Sequence, residues 1–248
     1  MLTSNIISHL KNQNWLAAII DFIIVVSGIF VAIQVNSWNE GRVSKQQEKV
    51  ILEQLYSDFS DNVDSVSSMA LFHKNKASEL DYVIDMVATD NLEPTSERAG
   101  NALMSMFQMP PISASMGTYK SLIATGDIGL IQDQELKSLL INLESKLEFE
   151  KSMLDYFRDM NMTNIEYVRG LVSVQPNPDR SGTFIKVDFE RFRVDNYLLT
   201  VVASQERNHL VFSKIRGDVA QEFENVKTYI AKTLNKPQDG TSKGNVVN

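Results

Sequence analysis

From Leu16 to Val35 the chain reads LAAIIDFIIVVSGIFVAIQV, twenty residues with a single charge, Asp21. A helix that is apolar all round has to be covered on every side, and few water-soluble cores can do that. A hydrocarbon core about 30 Å thick takes about 20 such residues at ~1.5 Å each. The only two tryptophans, Trp15 and Trp38, bracket the stretch 23 positions apart, roughly 34 Å of helix. Tryptophan favours the two membrane interfaces because its ring is apolar while its N–H needs a wet partner. Asn12-Gln13-Asn14 on one side and Asn36-Ser37 with Asn39-Glu40 on the other supply polar exits. Residues 16–37 are therefore predicted to form one transmembrane helix behind a short flank, residues 1–15, with Trp15 and Trp38 as interface anchors. A cleaved signal peptide would carry a shorter apolar run and a small-residue cleavage site, which Gln34-Val35-Asn36-Ser37-Trp38 does not resemble.

Within the span, Ala17, Asp21, Gly28 and Ala32 follow one another by 4, 7 and 4 positions and share a helical face. Gly28-x-x-x-Ala32 is a small-xxx-small pair that lets two helices approach closely. A carboxyl group in lipid is costly unless it is protonated, paired or close to the interface. Asp21 on this face can snorkel toward the headgroups or hydrogen-bond across a helix pair. The four residues form a candidate association face for a homo-oligomer or for a membrane-protein partner. Lys11 precedes the span, whereas Arg42, Lys45 and Lys49 follow it; the positive-inside tendency then places the main domain in the cytoplasm.

Beyond Trp38 the apolar periodicity is helical. Leu52, Leu55, Phe59, Val66, Met69, Leu80, Val83 and Val87 keep a heptad-like seam that can continue directly from the membrane helix. Asp90 to Pro94 break it, Thr95 or Ser96 can cap a helix reaching about Met109, and Pro110-Pro111 stop that one. Asp133 is a good N-cap for a long helix with Leu136, Leu140, Leu143, Leu147, Leu154, Phe157, Val168 and Leu171 on its seam. Gln175 to Gly182 reads as a loop. Asp188 and Asp195 are further capping candidates, and a last helix runs from about Asn196 to Leu234. No strand pattern stands out. The predicted fold is all-α: a transmembrane helix continuing into a long helix, then an antiparallel helical bundle over residues 38–236. The polar residues 237–248 are expected to be a disordered tail.

Chemistry is sparse. There are no cysteines, which removes disulfides, thiol nucleophiles and thiolate metal sites. The 24 basic and 31 acidic residues give a net charge of −7 without a basic cluster, so nucleic acid is not an expected partner. His9, His73 and His209 are far apart and form no His-x-x-x-His or Glu-x-x-His pair, and no phosphate-loop, nucleophile-elbow or dinucleotide motif occurs. An enzyme is not expected, nor a cofactor or a metal. The unusual feature is polar residues set on apolar seams: Asn62, His73 and Lys76 on the first helix, Glu150, Asn161 and Asn164 on the middle one, and Gln205, His209 and Arg216 on the last. They can fix register or lie where a seam meets solvent; alternatively His73, Lys76, His209 and Arg216 line a small-ligand pocket, as in a helical sensor. Met104, Met106, Met109 and Met116 beside Pro110-Pro111 can fill gaps in a core or offer an adaptable surface.

Two segments carry a resemblance. Asp21 to Glu40, DFIIVVSGIFVAIQVNSWNE, joins a Gly-bearing span to a Gln-x-x-x-Trp-Asn exit, and Thr118 to Leu136, TYKSLIATGDIGLIQDQEL, adds a Tyr, Leu and Gly-containing signature. Together they resemble a family of uncharacterised bacterial single-span membrane proteins. The resemblance implies a single-pass protein of the bacterial inner membrane with the lipid bilayer as its first partner, and it implies no chemistry. The expected function is a membrane-anchored scaffold or interaction module, the alternative a sensory module that signals through a separate partner.

Overall fold

The computed structural model describes residues 15–114, 116–179 and 181–236, with side chains from Ile19 onward. The flank 1–14, the side chains of Trp15 and Ala17, and the predicted tail 237–248 lie outside the described residues. The chain divides into two compact units, residues 1–50 and 51–248, with α1 (Trp15–Ala88) contributing to both.

In the first unit, α1 has an apolar stretch with a mean hydropathy of 2.2 over 18 residues, none of it buried. By length and composition it is long and apolar enough to cross a membrane. Phe22, Ile24, Phe30 and Val31 are all exposed, and a methyl group added at Gly28 would meet no atom within 4 Å. Trp38 is 71% exposed just beyond, where Asn36 donates to the Glu40 carboxylate at 2.7 Å.

The second unit is built on the rest of α1 with α4 (Gln134–Tyr167) and α6 (Asn196–Thr233). Each of the three has a seam of buried residues at alternating three- and four-residue steps, the spacing that keeps one face of a helix against its neighbours. Pairs such as Phe59 with Phe223 and His73 with His209 set α6 antiparallel to α1, while Lys146 with Glu222 and Asn161 with Gln205 set it antiparallel to α4. Helices α1 and α4 consequently share a direction, which the long connection from residue 89 to 133 makes feasible. That connection holds α2 (Glu97–Ser105), α3 (Gly117–Thr125) and a 3₁₀ turn (Asp127–Leu130).

The caps explain the boundaries. Ser96, not Thr95, accepts from the Ala99 N–H and starts α2, which ends at Ser105 rather than near Met109. Asp58 of α1 accepts from the Thr118 N–H at the start of α3, and Gly126, at φ 79°, closes it in a left-handed turn. Asp133 accepts from Glu135 and Leu136 N–H groups, and Asp195 from Tyr197. Asp188 caps nothing: the short α5 (Glu190–Val194) follows Phe189 without a side-chain cap. Tyr119, Leu122, Ile131 and Leu136 are buried in one apolar cluster with Leu55, Phe59 and Phe223. The Thr118–Leu136 signature therefore serves packing and capping.

One correction concerns the stretch after α4. Gly170, at φ 80°, turns the chain into a β-hairpin, β1 (Val172–Pro176) against β2 (Thr183–Val187), in register Val172↔Val187 to Pro176↔Thr183. The reading of residues 175–182 as loop captured the turn but cut into the end of β1. Five-residue strands carry too little alternation to stand out from sequence; this pair exists because Val187 and Leu171 join Leu80, Val83, Leu103 and Phe189 in a second apolar cluster. The fold is thus mostly all-α with one small two-stranded sheet.

Gly100 in α2 fits against that hairpin. A Cβ there would stand 2.2 Å from Ile185 Cγ2. Alanine favours helix over glycine by up to ~1 kcal/mol, whereas overpacking a core costs about 1–3 kcal/mol. Gly100→Ala is expected to lower stability by roughly 1–2 kcal/mol in urea unfolding. In an Ile185→Ala background the same change should become neutral or stabilising; an unchanged penalty would mean that Ile185 is not the obstacle.

Candidate functional site

Between the two larger apolar clusters, around a small third one of Met109, Leu154, Phe157 and Phe212, the helical seams turn polar. Asn62, His73, Glu150, Asn161, Gln205, His209 and Arg216 are all buried, so solvent exposure does not account for them; Lys76 and Asn164 are half-buried. Each occupies a seam position because the 3–4 spacing carries it inward with its apolar neighbours.

Arg216 is the centre. Its side chain is fully buried on α6, with Nε and Nη2 donating to Glu150 Oε1 of α4 at 3.0 and 2.7 Å. Nη2 also donates to the Pro110 carbonyl at 2.6 Å, and Nη1 to His73 Nε2 of α1 at 2.8 Å. His73 Nδ1 lies 2.7 Å from His209 Nδ1, and His209 Nε2 lies 3.0 Å from the Met106 carbonyl. These partners fix every proton. A carbonyl only accepts, so His209 Nε2 must carry hydrogen and its Nδ1 must accept. His73 then donates through Nδ1 and accepts the guanidinium hydrogen at Nε2. Both rings are neutral, and hydrogen bonds run in one direction from Arg216 through His73 and His209 to the Met106 backbone. Phe212 stacks on His73 at 5.5 Å between ring centres.

The electrostatics agree. Burial lowers His73 to about 3, and the neighbouring Arg216 cation pushes the same way. His209 is lowered by burial, against the Met106 carbonyl bond, which raises it. Burial also lowers Arg216, while Glu150 opposes that shift. Removing one partner of a buried ion pair costs about 3–5 kcal/mol because the other charge stays behind, so Arg216 and Glu150 have to be kept or lost together.

The connection between α2 and α3 is held by this layer. Pro110-Pro111 keep the chain out of helix, leaving carbonyls without helical partners, and Met106, Met109 and Pro110 offer theirs to His209, Arg158 and Arg216. Met106, Met109 and Met116 fill the core around them, while Met104 is exposed. One further layer along, Asn161 and Gln205 exchange two amide hydrogen bonds at 2.8 and 3.3 Å.

Of the four residues proposed as a ligand pocket, the structure joins His73, His209 and Arg216 to one another. Lys76 stands one turn along α1, where its ammonium donates to Ser105 Oγ at 2.5 Å. The first three face one another, and Lys76 faces Ser105. The two clefts nearest the hairpin, about 470 and 210 Å³, are lined by none of them. Glu150 was among the polar seam residues read from sequence but not in the four-residue pocket, and Arg158 and the three carbonyls were missed as parts of this layer; the double proline was the available signal. No group of three or more metal-ligating side chains occurs among the described residues. On the apolar face of α1, Asp21, Gly28 and Ala32 are exposed and share one side of the helix. Comparison with known protein families, with curated proteins and with solved structures finds no match to the chain.

The histidine chain sets a pH response. Folding lowers both imidazoles below the value near 6.5 of a free histidine, so the stability it contributes is complete above that pH. It is lost as pH falls through 6.5 toward 3, because the unfolded chain takes up protons that the folded one refuses. The melting temperature is expected to fall across pH 6.5 to 4.5, where most carboxylates are still ionised, and His73→Asn should flatten that decline. A profile identical to wild type would reject the neutral pair.

Proposed function

We propose that the chain is a single-pass membrane-anchored helical module that works through protein association, with its main domain on the cytoplasmic side of a bacterial inner membrane. The observation that carries this reading is the apolar segment of α1, none of whose apolar window is buried among the described residues. Left in water it would expose Ile19 to Val35 on all sides; in a bilayer the same surface is at equilibrium. The likeness of residues 21–40 and 118–136 to the uncharacterised single-span family supports the same placement.

Association is the favoured activity because the polar layer has its donors engaged internally. Arg216, His73 and His209 form a closed set and Lys76 is bonded to Ser105, so a sensor built on these four draws less support. The face of Ala17, Asp21, Gly28 and Ala32 is the segment's candidate contact, through close backbone approach at Gly28 and Ala32 with a carboxyl group able to bond across the pair. Gly28→Ile is expected to reduce homotypic signal in a bacterial membrane two-hybrid assay at least several-fold at equal membrane abundance. An unchanged signal rejects that face. Orientation is tested separately: a C-terminal reporter active only in the periplasm should stay silent and one active in the cytoplasm should report, and the opposite pattern overturns the cytoplasmic placement.

A further inference from the structure

The hairpin has an open edge. Val187 N–H donates to the Pro94 carbonyl, away from β1, so the Val172↔Val187 pair does not bond across the hairpin. The bonds from Asp188 N–H to Leu171 O and from Asn177 N–H to Gly182 O fix the alternate pairs as the bonded ones. By that parity the N–H and carbonyl groups of Val172 and Val174 point outward from β1, together with the Pro176 carbonyl. None of them has a backbone partner among the described residues beyond the hairpin. Pro176 stands where a third outward N–H would be and ends the donor row. Val174 is 54% exposed.

Two clefts border this edge. Side chains alternate along a strand, so Val172 and Val174 belong to one face and Ser173 and Gln175 to the other. The cleft that includes Val172 measures about 210 Å³ and has the apolar side chains of Met104, Phe107, Ile165 and Val168 in its lining, with backbone polar groups between them. The cleft that includes Ser173 and Gln175 measures about 470 Å³ and adds Lys186, Asp188 and Arg193.

We propose that β1 accepts an extended polypeptide segment of another protein as a third strand. The backbone of the incoming segment bonds to Val172 and Val174. The residue opposite Val172 sets an apolar side chain into the smaller cleft, the residue opposite Val174 packs on that exposed valine, and the residue between them sets a polar side chain into the larger cleft. The outward row of two donors and three acceptors is complementary to an extended backbone and to little else. The apolar side chains lining the smaller cleft point to leucine, methionine or phenylalanine. A second copy of this chain would offer only Val172 and Val174, whose short side chains leave much of that space empty. This surface deepens the interaction reading and rests on it only in taking the partner to be a polypeptide; it does not depend on Gly28.

The test uses the full chain in detergent micelles and the peptide acetyl-Ser-Leu-Ser-Leu-Ser-amide at millimolar concentration. Hydrogen exchange at the Val172 and Val174 amides is expected to slow at least threefold, saturably. The same peptide N-methylated at both leucines should give no protection. Val174→Pro removes an outward N–H without touching the hairpin ladder and should abolish the effect at unchanged melting temperature. Equal protection by the methylated peptide, or none by either, overturns the proposal whatever the fate of Val174→Pro. Concentration-dependent self-association that Val174→Pro abolishes also overturns it, by assigning the edge to a second copy. Loss of the Gly28-dependent signal with the edge still binding peptide, or the reverse, separates the two surfaces.

Discussion

A guanidinium with no access to water must find acceptors for its donors, and the second unit is arranged around that demand at Arg216. Glu150 supplies the compensating charge from α4, His73 an unprotonated ring nitrogen from α1, and Pro110 a carbonyl from the connection. Each partner comes from a different part of the chain. None can shift by a heptad without leaving a buried donor or charge unmatched, a cost of several kcal/mol. An apolar seam tolerates sliding because one leucine resembles another; a seam with an arginine in it does not. The Asn161 and Gln205 amide pair repeats the restriction one layer away.

The same layer explains why the stretch after α2 can be irregular and still buried. Backbone carbonyls without helical partners would ordinarily destabilise a core. Here Met106, Met109 and Pro110 each receive a side-chain donor, so these three acceptors are satisfied as the chain crosses the bundle toward α3. The proton arrangement follows from the geometry. One carbonyl at the end of the chain and one cation at its start leave only neutral tautomers for both rings, and this makes the layer sensitive to acid.

The first unit obeys a different constraint. None of its apolar window is buried among the described residues, so its stability depends on what surrounds it. The second unit pairs most of its buried polar side chains internally, the Asn208 amide nitrogen excepted. What it leaves open is a strand edge, whose backbone groups face outward with space on either side.

The apolar segment, the heptad seams and the caps at Ser96, Asp133 and Asp195 could all be read from sequence, because each depends on spacing within a single element. The polar seam residues could also be identified, since a histidine or arginine at an apolar position stands out against its neighbours. Their partners could not. Spacing places His73 and His209 on inward faces of two helices, but only the antiparallel setting of α6 brings their Nδ1 atoms to 2.7 Å. The hairpin was hidden for a related reason. Five residues of alternation are too few to outweigh a glycine and proline background, and these strands are held by Gly100, Leu103 and Phe189 from elsewhere in the chain. Local periodicity, set by the geometry of one helix, was thus determined by sequence alone; which buried polar group meets which depended on long-range packing, and only the tertiary structure decided it.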